Sequence, residues 1–230
     1  MNTNIYKLPI VIIQFVNEIE PRQLSHFRGA VIASLKEKDI LFHNHDNDKL
    51  RYSYPLIQYK PIRKKAAVMG IGEGVEVISK LLDSNDFNFH IGTESIEMQI
   101  EAVNTYNSNI GLKRELEYQY RLRNWLSLNS RNYAQYQNSD SMVERILILE
   151  DVLTGNILSF LKGIGIYLKK HKEQIKLRIT DITAQHCVTY KKIRLMAFDI
   201  EFKTNISLPQ YIGLGKSASV GCGILTKITN

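Results

Sequence analysis

The segment Phe42-His43-Asn44-His45-Asp46-Asn47-Asp48-Lys49 gathers two histidines and a lysine within eight residues. Histidine titrates near neutral pH and can give or take a proton, while lysine brings fixed positive charge to an anion. Such a set can move protons and carry charge. Three other readings compete with that one. The letters His-Asn-His invite a metal-dependent nuclease, but no zinc or magnesium ligands follow at suitable positions. Asp46 and Asp48 resemble the start of a calcium loop that lacks its sixth-position Gly and twelfth-position Glu. The third reading, a polar loop with incidental histidines, stays open on the residues alone. His26, beside Phe27 in an amphipathic stretch, fits either a core-facing or a site-facing position, whereas His90, His171 and His186 have no such neighbours.

The second chemical segment is the tail. Gly213, Gly215, Gly221 and Gly223 form a G-x-G-x5-G-x-G pattern around Lys216, Ser217 and Ser219. Glycines at that density let backbone approach a ligand closely and aim N–H groups at phosphate. Gly215-Lys216-Ser217 imitates a Walker A motif, but position 210 is Gln where Gly is needed, and too little chain follows for the required helix. A dinucleotide fingerprint fails too, because Ala218 stands at the third glycine position. A glycine-rich hairpin turn with no ligand remains the plain alternative.

These segments need a scaffold, and the pattern along the chain supplies one. Residues 8–16 form a β-branched apolar run that suits a buried strand; Glu20-Pro21 then opens a helix over 22–36, with Leu24, Phe27, Val31 and Leu35 at helical spacing. Leu50 to Tyr59 alternates as a strand does, Lys65 to Ile71 forms another, Val75 to Leu82 is helical, and Phe87 to Val103 is extended. The order βαββαβ predicts a ferredoxin-like, RRM-like domain over residues 1–103. The polar stretch Asn104–Asn109 reads as a connection. Beyond it come a strand (113–126), a helical region (about 129–170), two strands (176–190 and 192–204) and the glycine loop leading into a last strand. Residues 111–230 are therefore expected to form a second ferredoxin-like domain with a longer helical region, making the chain α+β with antiparallel sheets in tandem domains.

Composition narrows the function class. With 230 residues, 44% of them hydrophobic, the chain can fill one large core or two small ones, which excludes disorder as the main state. The net charge of +7 is lopsided: residues 1–110 hold 12 Lys and Arg against 13 Asp and Glu, residues 111–230 hold 18 against 10. A basic half of that kind suits a polyanion such as nucleic acid, because cations on phosphates release condensed counterions. The two cysteines, Cys187 and Cys222, are too few for a disulfide scaffold and are expected to be reduced thiols of a cytoplasmic protein. The apolar stretch Ile146–Leu168 carries Glu150, Asp151 and Lys162, so no membrane span is expected. The first residues lack the basic leader and cleavage site of a secretory signal.

The glycine tail resembles that of the CRISPR-associated endoribonucleases that process repeat RNA, the sixth Cas family of the RAMP superfamily. HFRGAVIASL after the first strand, FHNH near residue 43, YSYPLIQYK at 52–60 and MGIGEGVEVISKLL at 69–82 resemble the family's successive landmarks in order and spacing. The resemblance implies a metal-independent endoribonuclease without cofactor, in which the RNA's own 2′-hydroxyl attacks the adjacent phosphate and leaves a 2′,3′-cyclic phosphate and a 5′-hydroxyl. It implies catalytic roles for His43, followed six residues later by Lys49, for the nearby His45, and for His26 as a second proton-transfer group. It also implies an RNA surface built from Gly213, Gly215, Lys216, Ser217, Gly221 and Gly223, with Arg51, Lys60 and Lys64 near the catalytic segment. The partner implied is CRISPR repeat RNA, with association in an effector complex and a monomeric or homodimeric state left open. A non-catalytic RNA-binding RAMP subunit is the rival reading.

Overall fold

Apolar, β-branched residues from Leu8 to Val16 favour extended backbone, and β1 (Tyr6–Glu18) forms over them. The structure, a computed structural model, describes residues 5–34, 45–46, 49–50, 54–83, 87–169, 173–190 and 193–229. The 3-10 turn Pro21–Gln23 leads into α1 (Leu24–Ser34), with Gln23 Oε1 accepting from the Glu20 N–H at 2.9 Å in a capping box. A short hairpin of β2 (His45–Asp46) and β3 (Lys49–Leu50) follows. Then come β4 (Ile57–Ile62), β5 (Lys65–Ile71), α2 (Gly74–Asp83), a hairpin of β6 (Asn88–Ile91) and β7 (Glu94–Glu97), and β8 (Ile100–Ile110). The sheet order is β4-β5-β1-β8, the strand order of the βαββαβ plan, and β5 pairs antiparallel with both β1 and β4.

Two glycines fix how α2 meets this sheet. A Cβ at Gly70 would stand 2.6 Å from Gly74 O, and one at Gly74 would stand 2.6 Å from Leu56 O, so only bare backbone fits there. Beneath the helices lies an edge-to-face aromatic cluster in which Phe27 meets Phe15 and Tyr59, each with ring centroids 5.9 Å apart.

The C-terminal unit repeats the plan with one substitution. β9 (Tyr118–Trp125) is followed by α3 (Ser130–Asn138) and α4 (Met142–Gly163), then β10 (Leu177–Tyr190), β11 (Ile193–Thr204) and β12 (Ile224–Lys227). The order β10-β11-β9-β12 matches that of the first sheet, but residues 205–223 cross from β11 to β12 as a loop where a helix would lie. The expected long helical region is two helices, separated where Ser141 begins the second by accepting from Val143 N–H at 3.2 Å. Asn205 anchors the loop's start, donating to Lys113 O and Gln174 O and accepting from Lys176 N–H.

Two compact units result: residues 7–108 with 219–221, and residues 1–6, 109–218 and 222–230. One expectation is corrected. Asn104–Asn109 is no linker but part of β8, an edge strand whose residues 103–108 are exposed or half-exposed, and that is why its composition reads as a loop. The chain passes from one unit to the other between residues 108 and 109, within that strand, and residues 111–117 lead on to β9. Among the described residues, no helix is long and apolar enough to cross a membrane.

Candidate functional site

The segment expected to be catalytic contributes a hairpin. His45 pairs across it with Leu50, and Asp46 with Lys49, so the backbones carrying His45 and Lys49 are neighbours although three residues separate them in sequence. His43 and Arg51 lie outside the described residues. His26 sits on α1, exposed, with its Nδ1 3.9 Å from the point a Cβ on Gly92 would occupy, beside the β6–β7 turn. Among the described residues, no group of three or more His, Cys, Asp or Glu could hold a metal ion.

Basic residues sort into two kinds. Arg63 and Lys64 form the two-residue turn between β4 and β5, both left-handed (φ 52° and 69°) and exposed. Such turns ordinarily use Asn and Gly, so two bulky cations there are held at a conformational cost. Arg123, Arg131 and Arg194 are also exposed, whereas Arg121 is engaged with Glu201, its Nε 3.0 Å from Oε1. Lys60, expected on the RNA surface, is instead fully buried in β4, its Nζ donating to Gln58 Oε1 at 2.5 Å. Tyr54 and Tyr59 beside it are core residues too.

The tail meets the edge of the same strand. Ser219–Gly221 belongs to the N-terminal unit, where Ser219 O accepts from Tyr59 N–H at 2.8 Å and Val220 bridges Tyr59 in parallel, covering the free edge of β4. Burial lowers the Lys60 amine from its ordinary 10.5 to about 7. The unfolded chain keeps that proton to about pH 10.4 while the folded chain sheds it above about 7. Lys60 therefore makes stability rise with pH between those values, by up to about 1.4 kcal/mol per unit, and adds no slope below them. Denaturant-unfolding free energies of wild type and Lys60→Met should diverge from pH 7 to pH 9, with wild type gaining relative to the variant. Parallel curves would contradict the burial of a titrating amine.

The glycines of the tail are occupied by the protein itself. A Cβ on Gly213 would meet Ala218 O at 2.6 Å, and one on Gly215 would meet Trp125 Nε1 at 2.8 Å. On Gly221 it would overlap Leu24, and on Gly223, with φ +61°, it would overlap Leu214 O. Close approach is real, but its object is the loop's own neighbours. Between Gly213 and Gly223 only Lys216, Ser217 and Ser219 have side chains that are not fully buried. Lys216 is exposed, its Nζ donating to Leu128 O at 2.8 Å and its N–H to Leu126 O at 3.1 Å, which leaves two ammonium protons for an anion. Ser217, half-buried and left-handed at φ 58°, turns the backbone beside it. The loop rests on Trp125, whose Nε1 donates to Asn156 Oδ1 at 2.9 Å. Nothing in the spacing of residues had linked Trp125 or Asn156 to the tail.

Two ferredoxin-like units in tandem, the second with its crossover helix replaced by a glycine-rich loop, make up the fold. A solved RAMP protein shares this fold at 11% identity, TM-score 0.52, over 97% of this chain and 100% of that one. The model of the Cas6b N-terminal domain matches residues 6–109 and that of the Cas6b C-terminal domain residues 112–228, so the chain belongs to the Cas6b family. A crystal structure of Cas6b is 28% identical, with a TM-score of 0.84 over 97% of this chain and all of that one. A second crystal structure, of a CRISPR RNA processing endoribonuclease Cas6b, is also 28% identical, with a TM-score of 0.73 and the same coverage. An uncharacterized protein of Methanocaldococcus jannaschii is 32% identical over 104 residues, 45% of this chain and 67% of that one.

Proposed function

We propose that this protein is an endoribonuclease that cuts CRISPR precursor RNA once within each repeat to release guide RNAs. The observation that carries the reading is the likeness along nearly the whole chain to a Cas6b described as a CRISPR RNA processing endoribonuclease, together with the match of both Cas6b domain models. The charge bias of the second half agrees with a phosphate-rich substrate.

In the reaction, the 2′-oxygen of the nucleotide before the cut attacks the adjacent phosphorus, and the bond from phosphorus to the following 5′-oxygen breaks. A base accepts the 2′-hydroxyl proton and an acid supplies one to the departing oxygen, so the step balances without a co-reactant, leaving a 2′,3′-cyclic phosphate and a 5′-hydroxyl. His43 and His45 are the proposed proton-transfer groups, Lys49 the charge beside the phosphorane, and His26 the second proton-transfer candidate. These residues belong to the N-terminal domain, whereas the C-terminal domain contributes the glycine loop, where Lys216 and the backbone around Ser217 hold phosphate. Lys64, exposed at its strained turn, and Arg51 extend the contact to the RNA backbone.

Incubating the protein with its host's repeat RNA should give one cut per repeat at a single phosphodiester. RNA that is bound but never cut would make the chain a non-catalytic RNA-binding subunit instead.

A further inference from the structure

A cavity of about 540 Å³ opens on the C-terminal unit between α3, α4 and the start of the glycine loop, a size typical of small-ligand sites (~300–1,000 Å³). Three features of its wall stand out. Ser127 is only 6% exposed, yet its Oγ has no hydrogen-bond partner, which costs about 1–3 kcal/mol for a buried hydroxyl. Gly155 sits well inside the 22-residue α4, with no atom within 4 Å of where its Cβ would be. A glycine there costs about 1 kcal/mol against alanine, and neither backbone conformation nor packing requires it. Exposed as it is, it leaves the rim of the cavity open. Finally, Ile148, Asp151, Val152 and Gly155 all line the cavity, at the i, i+3, i+4, i+7 spacing of a single helix stripe.

We propose that this cavity holds one unpaired nucleobase of the repeat RNA, an inference that rests on the repeat-RNA reading above. A base presents an apolar face and a polar edge, and single-stranded RNA is read by stacking or packing the first and hydrogen-bonding the second. Ile148 and Val152 offer the apolar strip. Asp151 is the carboxylate acceptor, and Asn132 and Gln135 bring amides of both polarities. The Asn156 carbonyl is taken by Trp125, leaving its amide N–H groups as donors at the cavity wall. Lys216 lines the same cavity, so a nucleotide whose phosphate rests on its ammonium has its base within reach of the wall.

The test fills the cavity without disturbing the fold. Gly155→Leu adds a side chain where no protein atom stands and removes a helix-weakening glycine, so it should melt at the wild-type temperature or higher. Its affinity for repeat RNA should fall about tenfold, the scale of one base contact. Repeat RNAs carrying a single abasic nucleotide, scanned through the unpaired positions, should contain one that weakens wild-type binding by a similar factor yet leaves Gly155→Leu no weaker than before. Gln135→Ala, at an exposed site, carries the same expectation if Gly155→Leu melts lower. Wild-type affinity in both variants, or an abasic scan that affects them as it affects wild type, would overturn the pocket while leaving repeat cleavage standing. Wild type that neither binds nor cuts repeat RNA would instead remove the reading beneath it, and the pocket's assignment with it.

Discussion

Replacing His43 or His45 by alanine is expected to lower the single-turnover cleavage rate of repeat RNA about 10²-fold or more, with little change in RNA affinity. That is the usual contribution of a positioned general acid or base, and it appears in the rate alone because proton transfer belongs to the transition state. The loss should be larger at His43, whose six-residue spacing to Lys49 fits the family resemblance. It should be smaller for Lys49→Ala, which removes charge stabilisation but neither proton transfer. His26 is decided by the same measurements: exposed on α1 beside Gly92, it counts as a proton-transfer group if its alanine variant loses rate at an unchanged melting temperature, and as structural if the melting temperature drops instead. Wild-type rates in both His43→Ala and His45→Ala would move the active site out of this segment.

Local pattern reached as far as local physics does. The strand Lys65–Ile71 was legible to the residue, and α2 nearly so, because apolar spacing and flanking turn residues act over a few positions. The strand order followed from the βαββαβ sequence, since few topologies accommodate it. The failures share a cause in contacts made far along the chain. Lys60 was expected on the RNA surface because it is a cation close in sequence to the candidate catalytic segment. It is buried in β4, a strand whose free edge is met by Ser219–Gly221 from the opposite end of the sequence. Asn104–Asn109 looked like a linker because polarity was taken for loop, although an edge strand tolerates polar residues equally well.

The glycine tail was found for a reason that proved incomplete. Its spacing does signal close approach, but each of the four glycines is pressed against protein. The proposed ligand-facing chemistry rests on Lys216 and on a cavity whose wall, Ser127, Asn132, Gln135, Asp151 and Asn156, is scattered over β9's end, α3 and α4. No spacing rule joins those residues; only the packing of the two helices beside the loop does.

The central claim is that the substrate supplies its own nucleophile. A 2′-hydroxyl next to the scissile phosphate is already tethered, so the protein has only to align it and move two protons. The most direct measurement is cleavage, in excess EDTA, of two repeat RNAs that differ by a single oxygen: one all-ribose, the other with deoxyribose at the nucleotide preceding the cut. The all-ribose RNA should be cut at its full rate to a 2′,3′-cyclic phosphate and a 5′-hydroxyl, and the deoxyribose RNA should be bound but left whole. Cleavage of the deoxyribose RNA at the same bond, or loss of all cleavage on chelation, would contradict it.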